Sequence, residues 1–106
     1  MSQYKSKLES KEMDWLCKAI LNLKNKEEVY RFFEDICTIS EIKALEQRFQ
    51  VARMLKKKKT YSEIANITGA STATISRVNR CLNYGSDGYN IILERLNKEL
   101  EKNIKE

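Results

Sequence analysis

The sequence predicts a small all-α protein of about six helices, and three observations predict it. Proline is absent, glycine occurs only at positions 69, 85 and 88, and apolar residues recur at spacings of three and four along the 106 residues. Proline and glycine are the residues that break helices, so nothing interrupts helix over the first two thirds of the chain, and the glycines punctuate the remainder. The apolar spacing gives each segment one side to bury. One domain is expected, because a chain of this length covers only a modest core, a shortage that dimerisation would relieve.

Met13, Leu16, Cys17, Ile20 and Leu21 mark a first amphipathic helix ending near Asn22 to Asn25, with Trp15 off the stripe. A second, about Lys26 to Cys37, places Val29, Phe32 or Phe33, and Ile36 on one face, with Glu27 and Glu28 near its start, where the helix dipole favours acids. Thr38 followed by Glu41 reads as a capping box opening a third helix, about Ile39 to Lys57, with Ile42, Leu45, Phe49, Ala52 and Leu55 on its stripe. Thr60 and Glu63 form a second such box before the short segment Tyr61 to Thr68, which stops at Gly69. Ser71 or a neighbour caps the next helix, which runs to about Leu82. A last helix, from about Ser86 to Asn103, carries Tyr89, Leu93, Leu96, Leu100 and Ile104 on one side. That stripe needs a partner, either the first three helices or a second copy of the chain. The expected layout is a loose tail over 1–9, scaffold and dimerisation helices over 10–57, a two-helix motif over 60–82 and a C-terminal dimerisation helix over 86–104.

The stretch YSEIANITGASTATISRVNRCL has the spacing that a helix-turn-helix requires. Ala65 is small where two helices must approach, and four residues later Gly69 sits where positive φ is expected. Ile64, Ala70, Ile75 and Val78 then fall inward, leaving Thr72, Ala73, Ser76, Arg77 and Arg80 outward. Such a face, of small hydrogen-bonding groups and arginines with no acid, suits a helix lying in a DNA major groove. Charge agrees with the motif. The net charge is +5, yet from Arg48 to Arg80 eight basic residues stand against a single acid, Glu63. Clustered Lys and Arg displace counterions from phosphates, so a polyanion is the natural partner. Lys56, Lys57, Lys58 and Lys59, with Thr60 and Ser62 just after them, are expected on the sugar-phosphate backbone. Ser71, Thr72, Ala73, Ser76, Arg77 and Arg80 complete the DNA-facing set.

Other classes fare worse. The chain has no histidine, no metal-ligand cluster and no phosphate-cradling glycine loop, so an enzyme is not expected, and no catalytic residue, metal or cofactor is assigned. The three cysteines, Cys17, Cys37 and Cys81, are far apart and odd in number, and are read as reduced, mostly buried thiols. No apolar run is long enough to span a bilayer, and the N-terminus lacks the apolar stretch of a secretory signal, which points to the cytoplasm. RNA is disfavoured because the reading face lacks stacking aromatics. The alternative is a helical protein-interaction module whose basic face is incidental.

The segments ALEQRFQVARML and GASTATISRVNRCLNYG, with EEVYRFFEDICT upstream, resemble the bacterial Trp repressor superfamily, and more closely its YerC/YecD branch. The resemblance implies a Trp-repressor-like subunit of six helices, interlocked with a second copy into an intertwined homodimer through its N- and C-terminal helices. It also implies a helix-turn-helix transcription regulator, of repressor type; on double-stranded DNA a two-fold dimer should read a near-palindromic operator with half-site centres about one helical turn apart. Carried over by position, Ser71, Thr72, Ala73 and Ser76 face the operator, while Thr38, Arg48 and Arg77 match places that line an amino-acid corepressor pocket. Three positions depart from the tryptophan-binding pattern. Val78 replaces a glycine, Cys81 replaces a serine near the ligand's amino group, and Ala65 replaces a basic residue. A branched side chain at 78 takes part of the indole's space, so tryptophan is not the expected corepressor, and any small-molecule effector is unknown.

Overall fold

Six α-helices account for the regular structure of the described residues, with no strand among them. They are α1 Lys11–Leu21, α2 Lys26–Ile36, α3 Ile39–Lys56, α4 Tyr61–Thr68, α5 Thr72–Tyr84 and α6 Gly88–Lys105. The structure is a computed structural model that describes residues 3–103 with side chains and the helix backbone to Lys105. Met1 and Ser2 of the expected tail lie outside the described residues, as does the side chain of Ile104 on the expected C-terminal stripe.

Each helix end has a local cause. Ser10 and Asn25 cap α1 and α2, their side chains accepting from the backbone N–H groups of Met13 at 3.0 Å and Glu28 at 2.9 Å. Two boundaries fall later than the apolar pattern suggests. Helix α5 runs on to Tyr84, and α6 starts at Gly88 because Asp87 adopts φ 66°, outside the right-handed helical region. At the end of α3, Lys58 also has positive φ, 64°.

The helices group into two compact units that divide between Ile39 and Ser40, in the first turn of α3. In the first unit neither α1 nor α2 contains a fully buried residue. Met13, Leu16, Leu23, Phe32, Phe33 and Cys37 are half-buried. Phe32 and Phe33 meet edge to face with ring centroids 6.0 Å apart. The rest of the expected stripes is exposed, including Val29, Ile36 and Leu21, the last 82% exposed. Lys18 lies 5.1 Å from the ring centroid of the exposed Trp15.

The second unit holds the core, built from Val51, Ala52, Ile64, Ala70, Ile75, Val78 and Leu93, with Phe49, Met54, Leu55, Ala65, Leu82 and Tyr89 packed against it. The expected α3 stripe is corrected here: Leu45 is exposed, whereas Val51, which that stripe omitted, is fully buried. The cluster draws on α3, α4, α5 and α6, so it covers a wider arc of α3 than one stripe of a helix. On α6, Leu93 is buried, Tyr89 and Leu96 are half-buried, and Leu100 is exposed.

The expectation of mostly buried cysteines is also corrected. Cys17 and Cys81 are exposed, and Cys37 is half-buried. Cys81 lies about 100° round α5 from the inward line of Ile75, Val78 and Leu82, given 3.6 residues per turn, which turns its thiol away from the core.

Candidate nucleic-acid interface

The α4–turn–α5 unit is assembled from short-range bonds. Thr60 caps α4, its hydroxyl accepting from the N–H of Glu63 at 3.2 Å. Gly69 closes the helix with φ 73° and ψ 6°, donating to the carbonyl of Ala65 at 2.9 Å. The Thr68 hydroxyl donates to the Ile64 carbonyl at 2.7 Å and accepts from the N–H of Ala70 at 3.1 Å. Gln47 of α3 donates to the Thr68 carbonyl at 3.2 Å, so the turn is braced from outside the motif. Ser71 then caps α5, accepting from the N–H of Thr74 at 3.1 Å, and its hydroxyl also pairs with the Thr74 hydroxyl at 3.1 Å.

Ile64, Ala70, Ile75 and Val78 are all buried, at 0, 4, 1 and 1% exposure, and they lock the two helices together from within. With that side of α5 fixed, helical geometry turns Thr72, Ala73, Ser76, Arg77 and Arg80 outward, and all five are exposed. No acid occurs on α5. The ion pairs found among the described residues, Arg31 with Glu27, Lys43 with Glu46 and Lys98 with Glu94, use none of the basic residues between Arg48 and Arg80. Among the described residues none of that positive charge lies within ion-pair distance of a carboxylate.

The lysine run forms the turn between α3 and α4. Lys58 and Lys59 donate their N–H groups back to the carbonyls of Leu55 at 3.0 Å and Met54 at 3.1 Å. This paired closure is the Schellman arrangement, whose left-handed position, here Lys58, usually falls to glycine. Lys56 to Lys59, Thr60 and Ser62 are all exposed. The residues matched to an effector pocket are more scattered in character. Arg48 is half-buried on α3, Val78 belongs to the core, and Arg77 and Cys81 are exposed. Thr38 lies in the first unit, immediately before α3. A groove of about 380 Å³ between α3 and α6, with Phe49, Leu93, Leu96 and Leu100 on its walls, contains none of these five residues. Among the described residues no group of three or more His, Cys, Asp or Glu could hold a metal ion. No described helix is long and apolar enough to cross a membrane.

The Trp repressor protein family model matches residues 11–97, a span that begins with α1 and extends into α6. The chain belongs to the Trp repressor family. Among its relatives, the uncharacterized protein YerC of Bacillus subtilis (strain 168) is 60% identical over 95 residues, covering 90% of each chain. A crystal structure of a TrpR-like protein from Eubacterium eligens superposes with a TM-score of 0.83 at 59% identity, covering 86% of this chain and 94% of that one. A candidate Trp repressor from Staphylococcus aureus gives 0.82 at 54% identity, covering 86% and 91%. The Trp repressor fold is a regulatory DNA-binding fold and not that of an enzyme family, which makes this chain a DNA-binding regulator by kind.

Three features of this Trp repressor-like site escape a reading of the residues alone. The Gln47 brace spans 21 positions and leaves no local signature. The left-handed Lys58 is hidden in a run of identical residues. Asn90 donates to the Leu82 carbonyl at 2.9 Å, tying the end of α5 to α6; its neighbour Asp87, which it also contacts at 3.3 Å, was the available hint.

Proposed function

We propose that this chain is a sequence-specific double-stranded DNA-binding transcriptional repressor that acts as a homodimer on a near-palindromic operator, without tryptophan as corepressor. The observation that carries the reading is the exposed, acid-free face of α5 in a motif locked from within by Ile64, Ala70, Ile75 and Val78. Thr72, Ala73 and Ser76 serve as base-reading residues, with Ser71 at the helix start. Arg77 and Arg80 extend the face, and Lys56 to Lys59, Thr60 and Ser62 hold the phosphate backbone. A DNA partner puts this work in the cytoplasm.

Dimerisation is supported by the first unit, in which two helices bury no residue while Leu21 and Ile39 stand 82% and 81% exposed. Surfaces of that kind mark contacts with another chain. A two-fold pair would read half-sites about one helical turn apart, roughly 34 Å between centres. Repression is supported by the family's own description and is tested by fusing the selected operator to a reporter gene. The absence of a tryptophan response is supported by Val78, whose side chain is held in the core.

Selection from random duplexes followed by mobility shift at several salt concentrations tests the reading. A preferred near-palindrome is expected, with affinity falling steeply as salt rises. Binding to a protein partner that ignores salt, with no preferred duplex, would favour the interaction-module alternative.

A further inference from the structure

The chemistry of the first two turns of α5 narrows what the reader recognises. Two of its four leading hydroxyls are already engaged: Ser71 and Thr74 bond each other at 3.1 Å, and Ser71 also accepts from the backbone N–H of Thr74 at 3.1 Å. Thr74 is half-buried besides. What faces solvent from Thr72 to Ser76 is Thr72, Ala73 and Ser76, all short, and two of them end in a methyl group; the exposed Arg77 follows them. Short side chains let the helix axis sit deep in a groove. They also leave the reader without the usual instruments for adenine and cytosine. From Ser71 to Val78 there is no Asn or Gln to form a bidentate pair with adenine, and no Asp or Glu to accept from the cytosine amino group. The arginines that suit guanine or phosphate begin only at Arg77. The base edge that a methyl group recognises is the C5-methyl of thymine.

We propose that the adjacent methyl groups of Thr72 and Ala73 read the C5-methyl of thymine in each half-site, separating thymine from cytosine by apolar contact. This rests on the DNA-binding reading above and specifies its substrate. Ser76, one turn further along the ridge that starts at Thr72, supplies a hydroxyl that either base type accepts, so it adds register without selecting against thymine.

The test uses the full chain and the duplex recovered by selection, with each thymine replaced singly by deoxyuridine, which lacks only the methyl group. Fluorescence anisotropy at fixed salt should show binding weakened about fourfold at one or two positions per half-site, the factor that burial of one methyl group gives, and unchanged elsewhere. Thr72→Ser keeps the hydroxyl and the fold but removes a methyl, and Ala73→Gly removes the other. Either variant should bind the thymine duplex more weakly and lose most of the difference between thymine and deoxyuridine at the matching position. A preferred duplex indifferent to every deoxyuridine replacement overturns this inference alone. The absence of any preferred duplex overturns the DNA reading and this inference with it. A thymine preference that survives in both variants assigns the contact to other residues and likewise overturns the proposal.

Discussion

Replacing Lys58 with glycine should make the protein more stable and a poorer DNA binder. Lys58 sits at φ 64° in the closure of α3, with its N–H bonded to Leu55 and that of Lys59 bonded to Met54. An L-residue in the left-handed region bears a cost of about 1 to 2 kcal/mol that glycine escapes. Glycine in turn loses more backbone freedom on folding, worth about 0.5 to 1 kcal/mol, which offsets part of the gain. The difference is a net stabilisation of about 0.5 to 1 kcal/mol, or a rise in Tm of roughly 2 to 8 °C for a domain of this size. The backbone bonds of the closure survive the change, because none involves the lysine side chain. Removing one phosphate contact should meanwhile lower the slope of log affinity against log salt by about 0.9. Thermal melts by circular dichroism, at equal protein concentration because an associating chain melts according to its concentration, check the first effect, and a salt titration checks the second. Lys59→Gly, which gains nothing from relief of a left-handed backbone, is the control. A Lys58→Gly protein that melts below the parent refutes the strain argument, and an unchanged salt slope refutes the phosphate contact.

Thr72→Ala or Ser76→Ala should cost about 1 to 3 kcal/mol on the preferred duplex and far less on random DNA, whereas Lys56→Ala with Lys57→Ala should weaken all duplexes alike; competition mobility shifts separate the two patterns. Calorimetry should show no tryptophan binding below about millimolar concentration, since overpacking an indole against Val78 adds roughly 1 to 3 kcal/mol; micromolar binding that tightens the DNA complex would overturn this. Val78→Gly should lose about 2 to 4 kcal/mol of stability, from valine burial and a glycine inside the helix, and is the variant in which tryptophan binding is worth seeking. Gly85→Ala should disrupt the junction of α5 and α6, because an added Cβ would run into the backbone carbonyl oxygen of Cys81, and the change should show as a lowered Tm. Sedimentation should give a species of twice the 12.4 kDa chain mass at micromolar concentration.

The helix-turn-helix was legible because its determinants are local. Gly69 marks a left-handed stop, Ser71 a cap, and the spacing of Ile64, Ala70, Ile75 and Val78 follows from two helices crossing at a short turn. The amphipathic stripes of α1 and α2 were legible as stripes, but what covers them was not, since one sequence carries no signal distinguishing an internal partner from a second copy. Val51 escaped notice for a related reason: the core reaches α3 from several helices, and a single stripe describes burial against only one surface. Residue type does not set the burial of the cysteines. Free cysteine is usually a core residue, yet Cys81 is placed by helix phase, and phase depends on which neighbouring residues hold α5 in place. Lys58 gave no hint because its conformation is imposed by the carbonyls of Met54 and Leu55, several positions away.

The buried valine at position 78 changes what such a regulator can respond to. If Val78 supports the reading helix as proposed, the place an indole would fill is already taken, and tryptophan level drops out as an input at that place. If two copies are needed to read an operator, the active species forms by a second-order reaction, and at low concentration its amount rises with the square of the chain's abundance. Synthesis and degradation then become the signal. A modest change in how much of the protein a cell holds would be delivered to the operator as a much larger one, with the threshold set by the strength of the dimer contact.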